Sequence, residues 1–167
     1  EFIWTEMGRV NFVLDNLIAD GKAAPMIVVM PYGHTPRIEG QQYGARRQQR
    51  FESYLLNDLI PNIEENYRVK KGSAHRALAG LSMGGSQTLY TGILHSDKFN
   101  WLGVFSNGIR DVAAFKESHG AQLATLNDDV DLLWVACGTD DFLFERYEAM
   151  LEFFAEEGIE HVVNTTG

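Results

Sequence analysis

"HRALAGLSMGGSQTLYTG", residues 75–92, is the stretch on which the reading of this chain turns. Arg76–Gly80 is short and apolar, the length of a strand, and Gly84 to His95 carries a helical pattern. Gly80-Leu81-Ser82-Met83-Gly84 therefore falls on a strand-to-helix turn. A turn this tight is expected to require glycine on both sides of Ser82, because a Cβ at either position would clash. It holds a strained serine out at the top of a sheet, beside a helix N-terminus that favours negative charge. The backbone N–H of Met83, next after the serine, is then placed to serve as an oxyanion-hole donor. The plainer alternative is Ser82 as an ordinary helix N-cap. Nucleotide-binding turns do not fit: no lysine lies near the glycines, and Gly-x-Gly-x-x-Gly is absent from the turn.

Working outward, four more apolar runs have strand length without strict alternation: Met26–Met30, Trp101–Ser106, Leu132–Cys137 and His161–Asn164. Strands covered on both faces of a parallel sheet read this way. Helical patterns lie between them. Gly8 to Ala19 puts Val10, Val13, Leu14, Leu17 and Ile18 on one stripe, and Arg46 to Tyr67 spaces Phe51, Leu55, Leu59 and Ile63 four apart. Pro61 should kink that second helix near Leu59–Pro61. A last helix, Phe144 to Glu157, should be capped by Gly158. Alternating strand and helix predicts one α/β domain over residues 1–167, a mostly parallel sheet with helices on both faces.

The chemistry of such folds gathers at the carboxyl ends of the strands. Three of those ends are polar or glycine-rich: "MPYGHTPR", "GLSMGG" and "CGTDDF". A serine nucleophile needs an acid and a base, in chain order serine, acid, histidine. Asp140 and Asp141 both follow the Leu132–Cys137 strand and are candidate acids; either could instead cap the next helix. For the base, His34, His75, His95 and His119 precede the acid, and His161 opens the last strand at the wrong edge of the sheet. His34 is at the correct edge, whereas His75, His95 and His161 are expected at the surface.

Composition narrows the partners. The chain has 167 residues, a net charge of −9 and 45% hydrophobic residues, an ordinary globular balance. Its acidity argues against a nucleic acid or an anionic membrane surface as partner. Cys137, the single cysteine, lies in an apolar run and reads as a small buried hydrophobe. No run reaches the ~18 apolar residues of a membrane span. No metal or cofactor is expected.

"NFVLDNLIADGKAAPMIVVMP" (11–31), "LLNDLIPNIEENYRV" (55–69), "HRALAGLSMGGSQTL" (75–89) and "LLWVACGTDDFL" (132–143) occur in that order. Together they resemble the esterase D-like family of α/β-hydrolases, which includes the feruloyl and acetyl-xylan esterases of carbohydrate esterase family one. The resemblance runs over essentially the whole chain. It implies Ser82 as nucleophile, Met83 as the oxyanion-hole residue and Asp141 as the triad acid, since the family pattern after this strand is Gly-Thr-x-Asp. It also implies that the triad histidine is not in this chain but follows just after Gly167, and that a second oxyanion-hole loop precedes residue 1. On that expectation the chain is an esterase domain cut at both ends, inactive by itself.

The implied substrates are feruloyl or acetyl esters of plant cell-wall xylan, with S-formylglutathione and siderophore esters as alternatives. A secreted or periplasmic location goes with a polysaccharide substrate. The short stretch Asn107–Asp131, between the third and fourth of the predicted strands, is expected to form part of the acyl pocket's rim. A non-catalytic carbohydrate- or protein-binding domain on the same fold is the competing reading.

Overall fold

Proline has no amide hydrogen, so the helix containing Pro61 must give up one hydrogen bond somewhere. The computed structural model, which describes residues 3–34 and 45–167, shows how it does so. Helix α2 spans residues 45–66. It runs regularly over Ala45–Tyr54, widens into one π turn at Leu55–Leu59, where the Ile60 N–H bonds the Leu55 carbonyl, and resumes as Ile60–Asn66. The break expected near Pro61 is thus a bulge that the helix passes through. Phe51 and Leu55 of the predicted stripe are buried, and Leu59 packs against the same core.

The chain forms two units, residues 1–36 and 37–167. In the first, a π turn at Ile3–Met7 precedes helix α1, Val10–Ala19. Asp20 returns its N–H to the helix, and Gly21, at φ 68°, takes the left-handed conformation that ends it. Val10, Leu14, Leu17 and Ile18 are half-buried. The Met26–Met30 run is not the strand that was expected. It belongs to no ladder among the described residues, and Met26, Ile27 and Val28 are 53%, 49% and 47% exposed. β-branched residues suit a strand but do not make one. A strand requires a hydrogen-bonded partner, and the described residues of this unit offer no second extended segment.

In the second unit, four strands form one parallel sheet in sequential order: β1 (Ala77–Leu81), β2 (Trp101–Phe105), β3 (Leu132–Gly138) and β4 (Val162–Thr166). They match the remaining four predicted runs. Helix α3 (residues 83–94, widened at Thr88–Gly92) joins β1 to β2, and α6 (Phe144–Glu156) joins β3 to β4. Between β2 and β3 come α4 (Val112–Leu123) and α5 (Leu126–Asp129). Each connection advances one strand in the same direction, so right-handed crossovers carry these helices to one face. Leu102, Val104, Leu133, Val135 and Cys137 point to that face and pack with Leu89, Ile93, Phe115, Tyr147, Met150 and Phe154. At the end of α6, Gly158 (φ 68°) donates to Ala155 and Ile159 to Phe154, the Schellman arrangement.

The stretch Asn107–Asp131, expected to form part of the acyl pocket's rim, runs from the end of β2 to the start of β3. Most of it is helix, started by Asp111, whose side chain accepts the Ala114 N–H at 3.0 Å. Phe115, His119, Leu123 and Leu126 go into the core. Polar residues interrupt the apolar spacing of "VAAFKESHGAQL", which is why periodicity did not show this helix. Only the first few residues of the stretch remain at the carboxyl edge of the sheet.

Candidate active site

Ser82 follows β1 directly and stands at φ 54°, ψ −110°, a conformation that non-glycine residues rarely adopt. It is one of three non-glycine residues with positive φ among those described. Its N–H bonds the Phe105 carbonyl at 2.9 Å, continuing the β1–β2 pairing by one residue, and its carbonyl accepts the Ser86 N–H at 2.9 Å. Ser82 occupies the N-cap position of α3, yet its hydroxyl makes no capping bond. The residue is exposed. The plain N-cap reading therefore lacks the hydrogen bond that defines it. The leading amides of α3, Met83 first, have no intrahelical acceptor and carry the positive end of the helix dipole.

The two glycines of the motif are not equivalent. A Cβ on Gly80 would lie 2.2 Å from both the carbonyl carbon and oxygen of Gly84, so the returning helix backbone fills the space where a side chain would go. A Cβ on Gly84 meets nothing within 4 Å among the described residues. The second close approach is at Gly85, where a Cβ would stand 2.7 Å from the Phe105 carbonyl oxygen. The expectation that both flanking glycines are sterically required thus holds at Gly80 and moves from Gly84 to Gly85.

Asp141 lies beyond β3 on the same edge of the sheet. Leu81, Phe105 and Ala136 are at one level across β1, β2 and β3, and β1 and β3 are two strand spacings, about 10 Å, apart. Asp141 is half-buried in a turn closed by its own N–H on Gly138 at 3.1 Å and by the Phe144 N–H on its carbonyl at 2.9 Å. Its Oδ1 accepts the Leu143 N–H at 2.8 Å, which fixes the carboxylate. Asp140 is exposed, and its carboxylate makes no comparable bond to the described residues. The buried Cys137 thiol is pushed above its ordinary pKa, first by burial and then by the charge of Asp141, against a lowering from a backbone hydrogen bond at Gly138. The end of β4 is tied to this loop as well, through the Thr139 N–H on the Thr166 carbonyl at 2.7 Å.

None of the second unit's histidines stands at this edge. His75 is exposed ahead of β1, and His161 sits ahead of β4 with Nδ1 on the Ile159 carbonyl at 2.8 Å. His95, expected at the surface, is half-buried at the end of α3, with Nε2 2.9 Å from Glu52 Oε1. His119 is buried, stacked 4.2 Å from Phe115, with Nε2 on the Tyr90 carbonyl and Nδ1 on Ser118 Oγ. Both of its ring nitrogens are engaged in the core. His34, in the first unit, is exposed with its ring 5.5 Å from that of Tyr32; the run before it joins no ladder among the described residues.

Asn107, in the loop after β2, is a further polar residue at this edge that no sequence motif marks. Its Nδ2 donates to the Ser82 carbonyl at 2.7 Å, and its Oδ1 accepts the Gly108 N–H at 2.9 Å. The available signal was its place, "FSNG" at the carboxyl end of a strand beside the one that leads to Ser82.

A family model described as "Putative esterase" matches residues 3–156. The endo-1,4-beta-xylanase/feruloyl esterase of Xylanibacter ruminicola is 40% identical over 108 residues, 65% of this chain and 15% of that protein. Among solved structures, a CE1 ferulic acid esterase from Anaeromyces mucronatus in complex with ferulic acid aligns with a TM-score of 0.73 at 22% identity, covering 90% of this chain and 60% of that one. A further ferulic acid esterase aligns at 0.74 and 24% identity, over 99% of this chain and 72% of the other. The chain therefore spans a small part of its curated relative and about three fifths of the first of these structures. The structural likenesses speak to the fold.

Proposed function

The chain belongs to this esterase family, and from that premise we propose that it hydrolyses carboxylic esters through an acyl-serine intermediate on Ser82. The observation that carries the proposal is the strained, outward Ser82 at φ 54°, free of a capping bond and set at the start of a helix. In the proposed reaction Ser82 Oγ attacks the ester carbonyl carbon while a histidine base takes its proton. The Met83 N–H donates to the oxygen that becomes negative. Collapse breaks the bond to the alcohol, which leaves with the proton from the histidine. Water, deprotonated by the same histidine, then cleaves the acyl-enzyme to free acid and Ser82. Asp141, already oriented by Leu143, holds the imidazole in the right tautomer and stabilises its cation.

The base in this proposal is a histidine beyond Gly167. The bond between Thr139 and Thr166 supports it, because it brings the continuation of β4 beside the loop that carries Asp141. Feruloyl or acetyl esters of xylan are the proposed substrates, supported by the xylanase/feruloyl esterase relative and by the ferulic acid esterases that share the fold. An insoluble polymer as substrate would place the protein outside the cytoplasm. Ser82→Ala in the full-length protein tests the reading. Hydrolysis of methyl ferulate and of an aryl acetate should fall by about 10⁶-fold in kcat, with circular dichroism unchanged. Retained activity would remove Ser82 from the reaction. A wild-type protein that binds xylan but cleaves neither ester would favour the binding-domain reading.

A further inference from the structure

We infer that Asn107 is a positioning residue for the oxyanion hole: its side chain joins the Ser86 N–H in fixing the plane of the one peptide that links Ser82 to Met83. The inference rests on the reading of Ser82 as nucleophile and adds a residue to it. The Ser82 carbonyl and the Met83 N–H belong to the same peptide unit, which is planar and trans, so fixing one end fixes the other. Asn107 Nδ2 donates to that carbonyl at 2.7 Å. The opposite end of the amide, Oδ1, takes the Gly108 N–H at 2.9 Å. These two bonds together allow only one orientation of the amide, since a flipped amide would set oxygen against the Ser82 carbonyl oxygen and nitrogen against an N–H.

The loop that carries Asn107 is itself held in place. A Cβ on Gly108 would lie 2.3 Å from the Arg146 carbonyl oxygen, so the loop is pressed onto the first turn of α6, the helix that begins three residues after Asp141. On its other side, Gly85 of α3 leaves room for Phe105 and for Asn107, whose Cβ is 3.0 Å from the point a Cβ on that glycine would occupy. The preceding residue, Ser106, takes a left-handed φ of 48° that turns the chain toward the elbow. Asn107 therefore ties the nucleophile's peptide to the element that follows the acid. A donor on the Ser82 carbonyl also polarises the peptide and strengthens its N–H as a donor. Both effects act where negative charge develops, so they belong to the transition state and not to substrate binding.

The test is Asn107→Asp in the full-length protein with an aryl acetate as substrate. Aspartate keeps the shape and the acceptor for Gly108 but presents an oxygen to the Ser82 carbonyl. We expect kcat to fall about ten- to a hundredfold, with KM changed less than about threefold. The wild-type to variant ratio should narrow as pH falls into the carboxyl range, where the introduced side chain gains a proton and its O–H can donate again. A kcat within twofold of wild type, or a ratio that does not change with pH, overturns the inference. If Asn107→Asp does not fold, Asn107→Ala carries the test by the same split between kcat and KM. Labelling by a fluorophosphonate separates this inference from its premise. Label on a residue other than Ser82 in the wild type defeats the nucleophile reading, whereas label on Ser82 with kcat of Asn107→Asp unchanged defeats Asn107 alone.

Discussion

Alanine at Gly80 and at Gly84 should have opposite consequences, although the two glycines flank Ser82 symmetrically in sequence. At Gly80 the new Cβ would lie 2.2 Å from the Gly84 carbonyl carbon and oxygen, and 2.7 Å from its Cα. Relief to an ordinary contact of about 3.4 Å requires β1 and the first turn of α3 to part by about 1.2 Å. Both sides of the contact are backbone, so no side chain can rotate away. Overpacking of this kind typically costs about 1–3 kcal/mol, and a rigid site belongs at the upper end. At about 3 kcal/mol the melting temperature of a chain of this size should drop by about 6–12 °C. At Gly84 the Cβ meets nothing within 4 Å among the described residues, and alanine is the better helix former by up to about 1 kcal/mol. Gly84→Ala should therefore leave stability unchanged or slightly raised. Thermal unfolding by circular dichroism or calorimetry on the two variants decides the matter. Equal losses at both positions, or a Gly80→Ala protein within about 0.5 kcal/mol of wild type, would refute the steric account of the turn.

Further outcomes concern the loop after β3 and the thiol beside it. Asp141→Asn should lower kcat for ester hydrolysis by about 10⁴-fold, while Asp140→Asn, at an exposed carboxylate, should change it little; steady-state kinetics on both would expose a wrong choice between neighbours. The raised pKa of the buried Cys137 thiol predicts slow alkylation by iodoacetamide near pH 8 in the native protein and fast alkylation once unfolded. Asp141→Asn should speed the native reaction by removing one of the causes of the rise. Because the folded pKa exceeds the unfolded one, the thiol's contribution to stability is whole below the ordinary thiol pKa. It is lost as pH climbs from there through the folded value, which denaturant titrations at increasing pH would reveal.

The alternation of strand and helix, the elbow around Ser82 and the two candidate acids were legible in the residues alone. Apolar runs, turn glycines and a capping glycine such as Gly158 act on the backbone within a few residues, so their signals survive in the linear order. The helix at Val112–Leu123 was not legible, because its inward residues are interleaved with charges whose exposure depends on neighbours far away in the chain. Nor could sequence show that the Met26–Met30 run stays outside any ladder of the described residues, since a strand is defined by its partner.

Tertiary structure alone decided which glycine the turn cannot do without, and it did so through the position of the helix backbone facing each Cβ. It also buried His119 and half-buried His95. Most consequentially, it set Asn107 against Ser82 across a separation of 25 residues. That contact exists because β1 and β2 pair in a register that ends Leu81 beside Phe105, and no local pattern encodes a register between strands that a helix separates.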